Sequence, residues 1–127
     1  MRLFKTKGLV RFAHRERITD ASLREAVSRA ERGLVDADLG GNVIKQRVAR
    51  TGEGRSSGFR VIVAYRVQNR AVFLYGFAKN ERDNITQDEL QMFRAIGAIW
   101  LTANAATISQ ALEDGILQEI TTDDEET

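Results

Sequence analysis

Residues 59–67, Phe-Arg-Val-Ile-Val-Ala-Tyr-Arg-Val, and residues 71–78, Ala-Val-Phe-Leu-Tyr-Gly-Phe-Ala, decide the fold. Both runs are dominated by β-branched and aromatic residues, which fit a pleated surface better than a helix. The tight turn around Gln68-Asn69 joins them as an antiparallel pair. Alternation puts Phe59, Val61, Val63 and Tyr65 on one face, assigned to the core, and Arg60, Ile62, Ala64 and Arg66 on the other. A third strand is predicted over about Asn42–Arg50, completing a meander. The intervening Thr51-Gly52-Glu53-Gly54-Arg55-Ser56-Ser57-Gly58 has glycines that permit a ligand's close approach. Hairpin flexibility is their simpler meaning, because no helix N-terminus follows as a phosphate loop requires.

Upstream of this block, Arg2–Thr6 alternates as a short strand, and Leu9, Val10, Phe12 and Ala13 cluster as in a helical turn. From Thr19 or Asp20 to Arg32 the spacing of Leu23, Ala26, Val27 and Ala30 predicts a helix. Gly33 is placed to end it, with Leu34 supplying the accompanying apolar contact. Asp36–Gly41 reads as a turn-rich connector. Downstream, Thr86-Gln87-Asp88-Glu89 is a capping box opening one long helix, whose stripe runs from Leu90 through Phe93, Gly97, Trp100, Leu101, Asn104 and Ile108 to Leu112, with Gly115 as its stop. Leu117–Ile120 is a further edge strand. The expected architecture is α+β in the order β-α-α-β-β-β-α, a small antiparallel-rich twisted sheet with helices packed on one face. One domain over residues 1–122 and an acidic tail over 123–127 are expected.

The 127 residues suit a single domain, and 43% apolar content supports a core. The absence of cysteine removes disulfide scaffolds, thiol nucleophiles and thiolate metal sites. A lone histidine, His14, removes any site that needs two imidazoles, and it reads as a surface or packing residue. No apolar run approaches the ~18 residues of a membrane span, and the start MRLFKTKGL lacks a signal-peptide core, so a cytoplasmic protein without membrane contact is expected.

The net charge of +1 hides a segregation: residues 44–82 hold nine basic side chains against Glu53 and Glu81, whereas residues 83–127 hold only Arg94 against ten acids. Such a basic middle suggests a polyanion-binding surface, although exposed strand arginines also serve solubility and edge protection. Lys45 and Arg47 share a face of their strand, Arg60 and Arg66 share one on the next, and Lys79 ends the third, before the polar run Asn80–Asn84. Cations without paired carboxylates, a nucleophile–histidine pair or a metal constellation suit a phosphodiester, whose oxygens guanidinium groups grip with two parallel hydrogen bonds.

Several blocks together resemble one family: Phe4-Lys5-Thr6-Lys7 with Arg11-Phe12-Ala13, Asp36-Ala37-Asp38-Leu39-Gly40-Gly41, Ile44–Arg50, Gly54–Arg60 and Tyr75–Ile85. The sequence is similar to the RelE-like branch of the RelE/ParE toxins, the toxin halves of bacterial type II toxin–antitoxin pairs. What the resemblance implies is a ribosome-dependent mRNA endoribonuclease that inhibits translation and is silenced by a cognate antitoxin, itself expected to carry a helical or acidic segment or a helix-turn-helix. Matched to the family, Lys45, Arg47, Arg60 and Lys79 take the catalytic positions, and Arg50, Arg55, Arg66 and Arg82 are expected to hold the RNA. The loop between the first two central strands is longer than in the best-known members. Asn80 stands where some members have arginine, and no equivalent of their C-terminal tyrosine is found.

The implied chemistry is attack by the RNA's own 2′-hydroxyl, with no metal or other cofactor. Lys45 is then the base, its pKa lowered by neighbouring cations, Arg60 neutralises the phosphorane and Lys79 is the acid. Two other readings compete: a ParE-like poison of DNA gyrase, which needs no phosphate-gripping cluster, and a non-catalytic nucleic-acid-binding module, whose binding weakens with salt while nothing is cut.

Overall fold

A computed structural model describes residues 1–49 and 58–121. The elements are β1 (Arg2–Thr6), α1 (Lys7–Glu16), α2 (Asp20–Glu31), β2 (Ala37–Gly40), β3 (Val43–Val48), β4 (Phe59–Val67), β5 (Arg70–Ala78), α3 (Gln87–Thr102), α4 (Ala105–Glu113) and β6 (Leu117–Ile120). The six strands form one sheet in the order β2-β3-β4-β5-β1-β6. All neighbours are antiparallel except β1 and β5, which run parallel. The fold is α+β, as the sequence indicates, and no helix among the described residues is long and apolar enough to cross a membrane. Arg50, Arg55, the Gly52-Glu53-Gly54 loop and the acidic tail lie outside the described residues.

The expectation of helices on one face is corrected. Phe59, Val61 and Val63 pack with Leu9 and Phe12 of α1 and Leu23 and Val27 of α2. Ile62 and Ala64, on the opposite face of the same strand, pack with Leu90, Phe93 and Leu101 of α3 and Ile108 of α4. The physical reason is in the run Val61-Ile62-Val63-Ala64, which is apolar on both faces and so must be covered on both. The Arg60 end of the α3 face carries Lys45, Arg47 and Arg60 together.

Local chemistry sets the boundaries. The α1 cluster is a full helix and not a single turn; Thr6 caps it, accepting a hydrogen bond from the Leu9 N–H (3.3 Å). Thr19 caps α2 through the Ser22 N–H (3.1 Å), and Gly33, at φ +85°, ends it. The Leu34 N–H donates to Arg29 O and the Gly33 N–H to Ala30 O, completing a Schellman turn. Leu34 itself is 56% exposed, and Val35 provides the apolar contact expected of it. The connector at 36–41 contains the edge strand β2, whose Ala37 and Asp38 pair with Lys45 and Ile44. Gln68 and Asn69 both have positive φ, the signature of a type I′ hairpin turn.

The long C-terminal helix is two helices. Ala103 has ψ 144°, and Asn104 caps α4 by accepting from the Thr107 N–H at 2.8 Å. The open carbonyls at the end of α3 are met by Arg70, which is buried and donates to Trp100 O, Leu101 O and Ala103 O.

Candidate active site

The register of β3 and β4 brings the basic residues together. Lys45 pairs with Ile62, and Arg47 lies directly opposite Arg60. All four positions face the α3 side, because Val43 and Ala64, two and four residues along, belong to that core. Lys79 is carried to the same end by its backbone N–H, which donates to Gly58 O at the mouth of β4 (3.2 Å). Lys45, Arg47, Arg60 and Lys79 therefore converge at one end of the sheet, where α3 has not yet begun.

The set is strained electrostatically, because like charges placed opposite each other across two strands repel. Arg60 is 9% exposed, and burial, followed by the charge of Arg47, lowers its pKa, with Asp36 opposing. Burial also lowers the Lys45 ammonium below the usual lysine value, and repulsion from Arg60 and then Lys79 adds to this. The expected direction holds, but burial leads and Lys79 acts where Arg47 was expected to.

Two side chains that the sequence reading passed over hold this arrangement. Asp36 accepts from the Arg47 backbone N–H (2.7 Å), the Arg47 guanidinium (3.0 Å) and Arg29 (3.0 Å). Burial works to raise the Asp36 carboxyl, and these hydrogen bonds outweigh it, so its pKa is lowered. Arg29, itself buried, also donates to Glu25 and to Arg47 O, and Gln46 Oε1 accepts from the Asp36 N–H at 2.6 Å. Asn84 is the second: its Oδ1 accepts from Lys45 Nζ at 3.2 Å and from the Ile85 N–H at 2.9 Å. No sequence pattern marks either residue, since Asp36 sits in a connector and Asn84 in a polar run.

Arg82, expected to contact the RNA, is engaged within the protein. Its guanidinium donates to both Glu89 oxygens (2.6 and 3.1 Å), to Tyr75 Oη (3.1 Å) and to Asn84 O (3.0 Å). It also lies over the Phe77 and Tyr75 rings at 5.7 and 5.9 Å. With four of five N–H groups occupied, it braces the segment that presents Asn84. Hydrogen bonds from Arg82, then from the Thr86 backbone, hold the Glu89 carboxyl at about 2. Glu89 thus closes the helix cap and the brace at once. Arg66 is exposed at positive φ in a bulge beside the hairpin. It lies six residues from Arg60 along β4, on the order of 20 Å away, so the structure does not bring it to the cation set.

Lys79 is exposed. The floor beside the set is aromatic, with Tyr75 stacked on Phe93 (centroids 5.3 Å apart) and packed against Phe77. Among the described residues no group of three or more His, Asp or Glu side chains is placed to hold a metal ion. What the arrangement offers is a partly desolvated amine, a buried guanidinium and an open ammonium around one point, which suits a phosphate under attack.

The family model described as the RelE toxin of the RelE/RelB toxin–antitoxin system matches residues 1–120. Among curated proteins no match is found.

Proposed function

Because the chain belongs to the RelE toxin family over nearly its whole length, we propose that it is an endoribonuclease that cuts mRNA on the ribosome, by attack of the RNA's 2′-hydroxyl on the adjacent phosphate. The observation that carries this reading is the convergence of Lys45, Arg47, Arg60 and Lys79 at one sheet end.

The 2′-oxygen attacks phosphorus in line with the departing 5′-oxygen. Lys45, neutral more often than an ordinary lysine, accepts the 2′-hydroxyl proton. Arg60 neutralises the charge growing on the phosphorane, and its burial makes that charge more effective than it would be in water. Arg47, aimed by Asp36, assists at the same oxygens. Lys79 gives a proton to the 5′-oxygen, and the products are a 2′,3′-cyclic phosphate and a 5′-hydroxyl. General acid–base help is worth about 10²–10⁴-fold, so phosphate stabilisation and positioning of the message by the ribosome supply the rest.

The test is cleavage of a defined message on translating ribosomes. Lys45→Ala and Arg60→Ala should each lower cutting by at least about 10²-fold while circular dichroism remains native. Undiminished cutting by the double variant removes the proposed roles. Binding of the message without any cutting by the wild-type chain leaves a non-catalytic RNA binder.

A further inference from the structure

Asn84 stands at the rim of the cation set with both its side chain and its backbone held. Its Oδ1 accepts from the Ile85 N–H at 2.9 Å and from Lys45 Nζ at 3.2 Å, across 39 residues of chain. An amide oxygen has two lone pairs, so these contacts use its accepting capacity. The Asn84 backbone oxygen accepts from Arg82 Nε at 3.0 Å, and Arg82 is clamped by Glu89 and Tyr75. Glu89 in turn accepts from the Thr86 N–H at 2.7 Å. The start of α3 thus reaches Lys45 through one bracket, whose last member is uncharged. For shaping the lead into α3 alone, the Ile85 contact would suffice.

The surroundings make that lack of charge matter. Among the described residues, the charges that act on Lys45 are those of Arg60, on β4, and Lys79, beyond β5, both positive. Arg47, on the same strand as Lys45, is positive too. The carboxylates of the neighbouring elements have other partners: Asp36, ahead of β2, holds Arg47 and Arg29, Asp38 on β2 accepts from the Gly40 N–H, and Glu89 on α3 holds Arg82. Asp83, next to Asn84 in the chain, and Asp88, in the first turn of α3, are exposed. A carboxylate in place of the Asn84 amide would offset the positive set and favour the ammonium. An amine that has lost its proton still has N–H groups to donate, and it has one lone pair. Donating an N–H to Asn84 confines that lone pair to the side away from the amide.

We propose that Asn84 is the positioning residue of Lys45: its amide oxygen sets the direction of the amine and, being uncharged, does so without holding the amine's proton as a carboxylate would. The consequence for cutting rests on Lys45 acting as the base in the reaction proposed above, whereas the hold on the amine does not.

The test compares Asn84→Asp with Asn84→Ala in the full chain, with two readouts. One is the single-turnover rate of message cutting on ribosomes between pH 6 and 10. The other is acetylation of Lys45 by acetic anhydride as a function of pH, read by mass spectrometry on the protein alone, which follows the amine without RNA. Asn84→Asp has the same shape and keeps an oxygen for the Ile85 N–H, so a purely structural role predicts wild-type behaviour. The proposal predicts that the labelling curve and the rising limb of the rate both move upward by about one pH unit, the low end of what a neighbouring opposite charge does, because the site is exposed. Cutting then falls about 10-fold at neutral pH and recovers at high pH. Asn84→Ala should lower cutting about 10-fold or more at every pH, with neither curve moved upward. Thermal melting checks both variants, and Asn84→Asp decides the matter if Asn84→Ala is destabilised. A labelling curve that Asn84→Asp leaves unmoved overturns the proposal, as does wild-type cutting by Asn84→Ala when Lys45→Ala does not cut. A labelling curve that moves upward while the rate profile stays put, or while the wild-type chain cuts nothing, removes Lys45 as the base and leaves Asn84's hold on the amine standing.

Discussion

Lys45 carries the largest chemical demand on any single residue, since an amine serves as a base only once it has lost its proton. Its pKa is lowered by burial first, then by Arg60 and Lys79. The direction fixes a sign: the neutral amine accumulates as pH rises through a value below the ordinary ~10.4, so cutting should climb with pH and level off before that point. Lys79→Gln removes the third cause and should move the rising limb upward in pH, though only in part, because burial remains. The check is a single-turnover rate profile on ribosomes between pH 6 and 10; a flat profile means Lys45 is not the base. The basic residues of this set were legible in the chain, as strand alternation alone put Lys45 beside Arg47. Asp36 and Asn84, which aim them, were not, because each reaches its partner through a register that no local pattern encodes.

At the scale of elements, α3 must approach β4 closely for the apolar run 61–64 to be covered on its second face. Gly97 permits this: a Cβ there would sit 2.8 Å from the Ala64 Cβ. Gly97→Val should therefore destabilise the fold by about 1–3 kcal/mol through overpacking, read as a lower urea midpoint at unchanged m-value. Full stability in that variant would mean that the contact is looser than described. The helix break at Ala103 belongs to this scale too. The apolar stripe keeps its helical period straight across residues 101–108, so periodicity predicts one helix. The break becomes favourable only when buried Arg70 arrives from β5 to accept the role of cap for the exposed carbonyls, while Asn104 starts the next helix. The strands other than β2 and the Thr86–Glu89 cap were readable because their determinants are near neighbours in sequence.

Over the whole molecule, the seven basic residues described within 44–82 divide by task. Arg70 caps a helix, Arg82 braces the segment before α3, Arg66 stands at the far end of β4, and Lys45, Arg47, Arg60 and Lys79 form the set. Among these described residues, the last group should therefore set how steeply binding of single-stranded RNA weakens with salt. Lys79→Gln should reduce the slope of log affinity against log salt by about 0.7, and Arg66→Gln should leave it unchanged. Fluorescence anisotropy with a labelled oligonucleotide between 50 and 300 mM salt makes the comparison, and equal slopes in the two variants would mean that charge is sensed diffusely. The five strands other than β2, the Thr19 and Thr86 caps, the α+β class, the family and the basic middle can be read from the chain, because they depend on residue type, spacing and order along it. Which cations face one point, and that helices cover both sides of the sheet, come from the tertiary structure alone. These depend on register and on residues apart in sequence, such as Asp36 with Arg47 and Lys45 with Asn84, which meet only after the sheet has formed between its two cores.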